Sequence, residues 1–178
     1  NLTGKLPVGV YAKDVILYVI GSVKADFGVY KAVEFTGPVV KELSISERMA
    51  LCNMSTEMGC KAAYIQPDEV TFAYLKEHGI TDYTVYETDP DYIYDADLTY
   101  DVKQLTPQVA VPFSVDNVFP IVNEEGIPVN QAYLGSCTGG RTPDFAIAAK
   151  ILKGKHIAEG TRMILVPASK KVLEECME

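Results

Sequence analysis

Leu134-Gly-Ser-Cys-Thr-Gly-Gly-Arg141, followed by Thr142-Pro143-Asp144, is the stretch that decides the reading of this chain. An apolar run ends at Leu134, a glycine-rich turn carries one cysteine, and an amphipathic segment continues to about Leu152. This is the order strand, tight turn, helix. Thr142 can cap the helix through its hydroxyl, Pro143 suits the first helical position, and Asp144 favours the positive end of the helix dipole. Cys137 is thereby placed at the carboxyl end of a strand just before a helix N-terminus, where ligands gather in open α/β sheets and where backbone N–H groups favour a thiolate. A cysteine that only packs in a core does not need three glycines around it.

Two chemistries suit such a cysteine. Gly135-Ser-Cys137-Thr-Gly139 has the G-x-C-x-G form of a nucleophile elbow with cysteine in place of serine. That reading needs a base, and the chain holds only His78 and His156, both among chain-reversal residues that suit a solvated imidazole. The second chemistry, metal or iron–sulfur ligation, needs the thiolate and no histidine.

Bulk properties narrow the classes further. With 178 residues and 48% hydrophobic composition the chain can bury a core and is not disordered. A net charge of −8 argues against a nucleic-acid partner. The longest apolar run, Val15 to Ile20, is too short to cross a bilayer, and no signal-peptide pattern precedes it, so neither a membrane nor export is expected. Cys52, Cys60, Cys137 and Cys176 contain no C-x-x-C pair and read as reduced thiols of a cytoplasmic protein. The chain opens on Asn1 and stops at Glu178 inside a helical pattern, and both ends read as cut.

Working outward, a short edge strand is predicted within residues 1–7, a helix over Tyr11 to Val23, and a strand over Tyr30 to Phe35. Ser44 and Ser46 are both candidate caps for a helix starting at Ser46, on which Asn53 and Glu57, four residues apart, share one face with Met49. Gly59 ends it, Ala62 to Ile65 reads as a short buried strand, and Gln66-Pro67-Asp68 turns into a helix ending at His78. Asp68 and Glu69 read as first-turn charges. Beyond Ile80, tyrosines at 83, 86, 92, 94 and 100 interleave with acidic residues, without the spacing of a calcium loop, and suggest a solvated hairpin edge or loop. Strands follow at Thr99 to Val102 and Val109 to Val111. A polar turn at Ser114 to Asn117 precedes the strand at Gln131 to Leu134, and a strand at Met163 to Val166 and a helix from Ser169 close the chain. Strand alternating with helix implies parallel pairing with right-handed crossovers. The fold class is α/β, with mostly parallel sheets. The expected units are 1–103, carrying the Asn53/Glu57 helix, and 104–178, carrying the Cys137 turn.

The sequence resembles a known family at two places. Gly135-Ser-Cys-Thr-Gly-Gly-Arg141 is similar to the Gly-Ser-Cys-Thr-Asn-Gly-Arg signature of the aconitase superfamily, in the form carried by isopropylmalate and homoaconitate dehydratase large subunits. Cys52-Asn-Met-Ser-Thr-Glu-Met-Gly59, with Ile65-Gln-Pro-Asp-Glu69 and Thr71-Phe72 behind it, resembles the family's Asn-Met-x-x-Glu-x-Gly segment and the Pro-Asp-Glu that trails it. The resemblance covers essentially the whole chain but only the central part of a large subunit. It implies three-layer α/β units within a larger subunit, and a hydro-lyase that dehydrates and rehydrates a hydroxylated di- or tricarboxylic acid, in amino-acid biosynthesis of the leucine type.

The resemblance also implies a four-iron four-sulfur cluster with three cysteine ligands, of which Cys137 matches the first. The other two belong to a later Cys-x-x-Cys outside this sequence, and Cys176 does not replace them. Glu57 and Asn53 match catalytic positions, the glutamate in the hydrogen-bond network around substrate hydroxyl or water and the asparagine fixing it. Such a carboxylate calls for partial burial. Ser136 and Arg141 are the expected substrate-binding residues, and a structural salt bridge is the other role open to Arg141. A small, swivel-domain subunit is the implied partner. Two departures stand out. Gly139 replaces the signature's asparagine, and Phe113 or Ser114 stands where the family text His-x-x-Asp-Asn has histidine. The isolated chain is expected to be inactive and to lack a stable cluster. The other readings are a cysteine hydrolase and a cofactor-free subunit-interaction domain.

Overall fold

The computed structural model describes residues 1–177. They form two compact units that part after Asn123. The expected division after residue 103 is not where the units part, because strands β5 (Gln108–Ala110) and β6 (Val118–Pro120) pack against helix α1 (Ala12–Val23) of the first unit. Two details fix that packing. The Gln108 amide donates to Asp14 Oδ1 at 2.8 Å, and a β-carbon on Gly21 would stand 2.8 Å from Val118 Cβ, so the helix can approach β6 only with glycine there.

The first unit is organised around α1. Ala12, Val15, Ile16, Val19 and Ile20 recur at helical spacing and are all buried, so the apolar stripe read from the sequence is the core face. The unit also holds two parallel pairs, β1 (Leu2–Thr3) with β4 (Tyr100–Asp101) and β2 (Ala32–Glu34) with β3 (Ala62–Tyr64). Backbone bonds from Leu2 N to Thr36 O at 2.8 Å and from Phe35 N to Tyr64 O at 2.9 Å carry the pairing beyond these strands. Leu2 therefore has a backbone partner on either side and is only 1% exposed, which corrects the expected edge strand. The strand expected to be buried, β3, has Ala62 exposed and the next two residues half-buried. β5 and β6 pair antiparallel, Gln108 opposite Pro120.

Helix α2 (Pro38–Glu42) leads into α3 (Ile45–Met54). Ser44 is the cap that operates: its backbone N–H and hydroxyl both donate to Glu47 Oε2, at 3.0 and 2.7 Å, and Oγ accepts from Glu47 N at 3.4 Å. The α-helix ends at Met54, and Ser55–Met58 continue as a 3₁₀ turn closed by Gly59 at φ +86°. Helix α4 (Glu69–Glu77) is capped by Asp68, which accepts from Val70 N at 3.1 Å and Thr71 N at 3.4 Å. From Ile80 to Thr99 the chain has neither helix nor strand, in line with the expected loop.

The second unit is strand, helix, strand, helix. β7 (Gln131–Gly135) and β8 (Arg162–Val166) pair in parallel over five residues, from Gln131 opposite Arg162 to Gly135 opposite Val166. They are connected through α5 (Thr142–Leu152), and α6 (Lys170–Met177) follows β8. Short strands in mostly parallel pairs, separated by helices, are the α/β class expected from the sequence. Among the described residues no helix is long and apolar enough to cross a membrane.

Candidate functional site

The Cys137 turn occupies the carboxyl end of β7, as the strand-turn-helix reading requires. Its compactness comes from backbone contact. A β-carbon on Gly135 would stand 2.5 Å from the Val166 carbonyl oxygen, and one on Gly140 would stand 2.7 Å from Ser136 O and 2.9 Å from Val166 O. Side chains at either position would push β7 and the turn away from β8. The Ala168 amide donates to Gly140 O at 2.8 Å and fastens the turn to the chain leaving β8. Ser136 adopts φ +75°, a left-handed conformation that a non-glycine residue holds only where its surroundings dictate it.

Cys137 follows that bend and is exposed. Its Sγ lies 3.7 Å from Ser136 Oγ, which in turn lies 3.4 Å from Thr138 Oγ1. Three polar side chains thus cluster on the outer side of the turn while Gly135, Gly139 and Gly140 are buried beneath it. Tyr133, two residues back on the same strand face, brings its hydroxyl to 3.1 Å from where a Gly135 β-carbon would be. Sequence reasoning missed Tyr133; strand alternation from Gly135 could have found it.

Arg141, rather than Thr142, is the residue that caps α5. Its backbone N–H donates to Asp144 Oδ2 at 2.9 Å, so Thr142 opens the helix and Pro143 takes the second helical position. The Thr142 hydroxyl is engaged by Glu175 of α6. Arg141 Nε is buried without a hydrogen-bond partner, and among the described residues Arg141 enters no ion pair, so the structural salt bridge is not found. A buried guanidinium donor left open costs about 1–3 kcal/mol. A carboxylate presented to that nitrogen would remove the cost.

Asn53 and Glu57 lie in the first unit, in consecutive turns of different pitch. Asn53 is in the last turn of α3 and Glu57 in the 3₁₀ turn, so the shared α-helical face is interrupted between them. The Thr56 hydroxyl donates to Asn53 O at 2.9 Å and holds the junction. Both side chains are exposed, and the partial burial expected for Glu57 is absent within this unit. The structure therefore groups Ser136, Cys137 and Arg141 in one turn of the second unit, and Asn53 with Glu57 in one stretch of the first.

The remaining cysteines have other roles. Burial pushes the Cys52 and Cys60 thiols up, which favours inert thiols, and Cys176 is exposed on α6. His156 follows α5, whose eleven residues span about 16 Å, so it lies past the end of the helix opposite to Cys137. His78 Nδ1 is 2.9 Å from Tyr74 O and its ring packs on Tyr74 at 4.1 Å.

Sequence reasoning also missed Arg48, which is 4% exposed. It donates from two nitrogens to Asp68 at 2.6 and 2.8 Å, from Nε to Leu43 O at 3.0 Å, and to Lys41 O at 3.2 Å. Asp68 therefore serves as more than the first-turn charge expected of it. It caps α4 and locks α4 to α3, and its hydrogen bonds with Arg48 hold its carboxyl below the usual range. The available signal was Arg48 standing three residues before Leu51 on the apolar face of α3.

The one donor of cluster type in the turn, the exposed Cys137 thiol above a glycine floor, fits one ligand position of an iron–sulfur centre. Among the described residues no group of three or more His, Cys, Asp or Glu side chains is placed to hold a metal ion.

Comparison with known proteins agrees with the motif text. The Aconitase family (aconitate hydratase) matches residues 1–125 and 122–178. The 3-isopropylmalate dehydratase large subunit 1 of Methanopyrus kandleri is 48% identical over the whole chain, which covers 43% of that protein. The probable methanogen homoaconitase large subunit of Methanosarcina mazei is 45% identical over 97% of the chain and 44% of its own length. The 2,3-dimethylmalate dehydratase large subunit of Eubacterium barkeri is 41% identical over the whole chain and 43% of its length. The chain spans less than half the length of these relatives. With the family model matching residues 1–125 and 122–178, this chain belongs to the aconitase family.

Proposed function

We propose that the chain is the central part of the large subunit of a hydro-lyase that removes and re-adds water on a hydroxylated di- or tricarboxylic acid, such as 3-isopropylmalate, homoaconitate or a related malate. The observation that carries this reading is the exposed Cys137 thiol on its glycine-built turn, with Arg141 Nε buried and unpartnered four residues later. The names of the relatives support the substrate class.

In this reading Cys137 is one thiolate ligand of a four-iron four-sulfur cluster whose other ligands lie elsewhere in the parent polypeptide. When bound, the cluster supplies a Lewis acid for the substrate hydroxyl. The chain's own residues do the rest. Arg141 holds a substrate carboxylate in its planar fork, which satisfies the open Nε. Ser136, bent outward at positive φ, offers a hydroxyl to the same carboxylate. Glu57 carries the proton and Asn53 fixes its orientation, the surrounding parent structure supplying the cover that both lack here. A small subunit completes the site, and the assembled enzyme is cytoplasmic. The isolated chain, with one cluster ligand, is inactive.

The cysteine-hydrolase reading is weaker because His156 is separated from the turn by the length of α5. The test uses the large subunit that contains this segment, assembled with its small subunit and reconstituted with iron and sulfide. Cys137→Ser removes both the visible absorption of the cluster and hydratase activity. Glu57→Gln leaves the absorption and lowers kcat at least about 100-fold, the scale of losing a general base. A Cys137→Ser enzyme that keeps cluster and activity refutes the assignment, as does turnover by the isolated chain.

A further inference from the structure

We infer that the cavity beneath residues 92–98 of the irregular 80–99 segment is a binding site for a small organic cation with an apolar body. An irregular segment of this length inside a compact unit is unusual and calls for a function. It carries six carboxylates and neither lysine nor arginine, so the other residues hold sixteen basic against eighteen acidic side chains. Three quarters of the net charge of the molecule sits on this strap.

The strap is fastened to β2 by side chains. Thr88 Oγ1 donates to Glu34 Oε2 at 3.0 Å, the Tyr94 hydroxyl donates to the same oxygen, and Lys31 Nζ meets Asp95 at 2.7 Å. Between the strap and α1 lies a cavity of about 600 Å³, within the size range of small-molecule sites. Its floor is apolar and buried, formed by Val19, Phe35, Met58 and Cys60. Its outer wall holds Tyr92 and Tyr94, edge-to-face at 4.9 Å, with Asp97 beside them.

Charge and aromatic geometry select the ligand. Glu34, Asp95 and Asp97 outnumber Lys31 and the Asn1 amino group in the lining, which repels an anion. Tyrosine faces attract an ammonium, more strongly when it is partly withdrawn from water. The same lining already shows this chemistry, since Lys61 Nζ stands 4.0 Å over the ring of Tyr30. The apolar body of the ligand would cover the Val19 and Met58 floor while its cationic head meets Tyr92, Tyr94 and Asp97. The inference stands independently of the hydro-lyase reading.

The test titrates the 178-residue chain with 2-phenylethylammonium, 2-phenylethanol and 3-phenylpropionate, which differ mainly in head-group charge. Calorimetry and tyrosine emission report binding, the chain having no tryptophan. The cation binds about tenfold more tightly than the alcohol, and the carboxylate binds most weakly. Asp97→Asn and Tyr92→Leu, both at exposed positions, each weaken the cation about threefold and leave the alcohol unchanged. Val23→Phe, which fills the cavity from α1, removes both. Equal binding of alcohol and cation overturns the proposal. So does cation binding that both exposed variants leave untouched, or no binding by any of the three.

Discussion

Arg48 and Arg141, one in each compact unit, sit in opposite circumstances. Arg48 is buried and its guanidinium is fully engaged, with Asp68 and the Lys41 and Leu43 carbonyls all accepting from it. Arg141 has a buried Nε with no acceptor. The first arginine ties α2, α3 and α4 together and has nothing left to offer a ligand. The second carries an open donor four residues along the chain from an exposed thiol. The surroundings differ in the same sense. Every buried apolar side chain among the described residues belongs to residues 2–105, whereas the buried residues of the second unit are Gly135, Gly139 and Gly140. The first unit is held by a side-chain core, and the tightest packing of the second is backbone against backbone under Cys137. Compact packing thus serves stability in one unit and presents an exposed cysteine turn in the other.

The contrast can be broken by substitution. Arg48→Met has the largest expected effect on stability, about 3 kcal/mol by urea unfolding of the chain, because it strands Asp68 and two carbonyls. A loss below about 1 kcal/mol would remove Arg48 from its structural role. Gly140→Ala comes next, at about 2 kcal/mol, since its β-carbon meets two carbonyl oxygens that belong to backbone. Hydrogen exchange at the Ala168 amide, bonded to Gly140 O, should accelerate with it.

Asp68→Asn keeps the cap but removes the charge, and costs about 1–2 kcal/mol near neutral pH, moderated because the Asp68 side chain is 37% exposed. Its pH dependence has a definite sign. The Asp68 carboxyl is held below its ordinary value chiefly by hydrogen bonds from Arg48, so its contribution is present above the unfolded value of about 3.9 and is lost as pH falls through the lower folded value. The gap in urea midpoint between the wild-type chain and Asp68→Asn should therefore narrow as pH is lowered from 6 toward 3. Arg141→Ala has the smallest effect on stability, within about 0.5 kcal/mol, because relief of the open Nε donor offsets the packing lost with the side chain. On the proposed hydro-lyase reading, the same change in the assembled enzyme raises KM for the carboxylate substrate while cluster absorption is retained. Unfolding of the Arg141→Ala chain comparable to Arg48→Met would erase the distinction.

Much of this was legible in local text. The strand-turn-helix grammar around Cys137, the α1 stripe, the Ser44–Glu47 cap and the irregular tyrosine segment follow from short-range rules of period, capping and turn chemistry. What local text misjudged is also physical. Asn53 and Glu57 are four residues apart, but the switch to 3₁₀ pitch after Met54 breaks the face they were expected to share. Thr142 reads as a cap, yet the operating cap bond runs from the Arg141 amide to Asp144. The unit boundary moved because β5 and β6 are claimed by α1 through Asp14 and Gly21, contacts about ninety residues away in sequence.

The sequence by itself determined the α/β class, the position of the cysteine turn and the aconitase-family resemblance, because each depends on residues within one helical turn or one tight loop. Only the tertiary structure decided that Leu2 is interior, that Arg48 is satisfied while Arg141 is not, and that the acidic strap encloses a cavity. Those outcomes depend on which distant backbone and side-chain groups remain to accept or cover a given atom, and spacing along the chain carries no information about that.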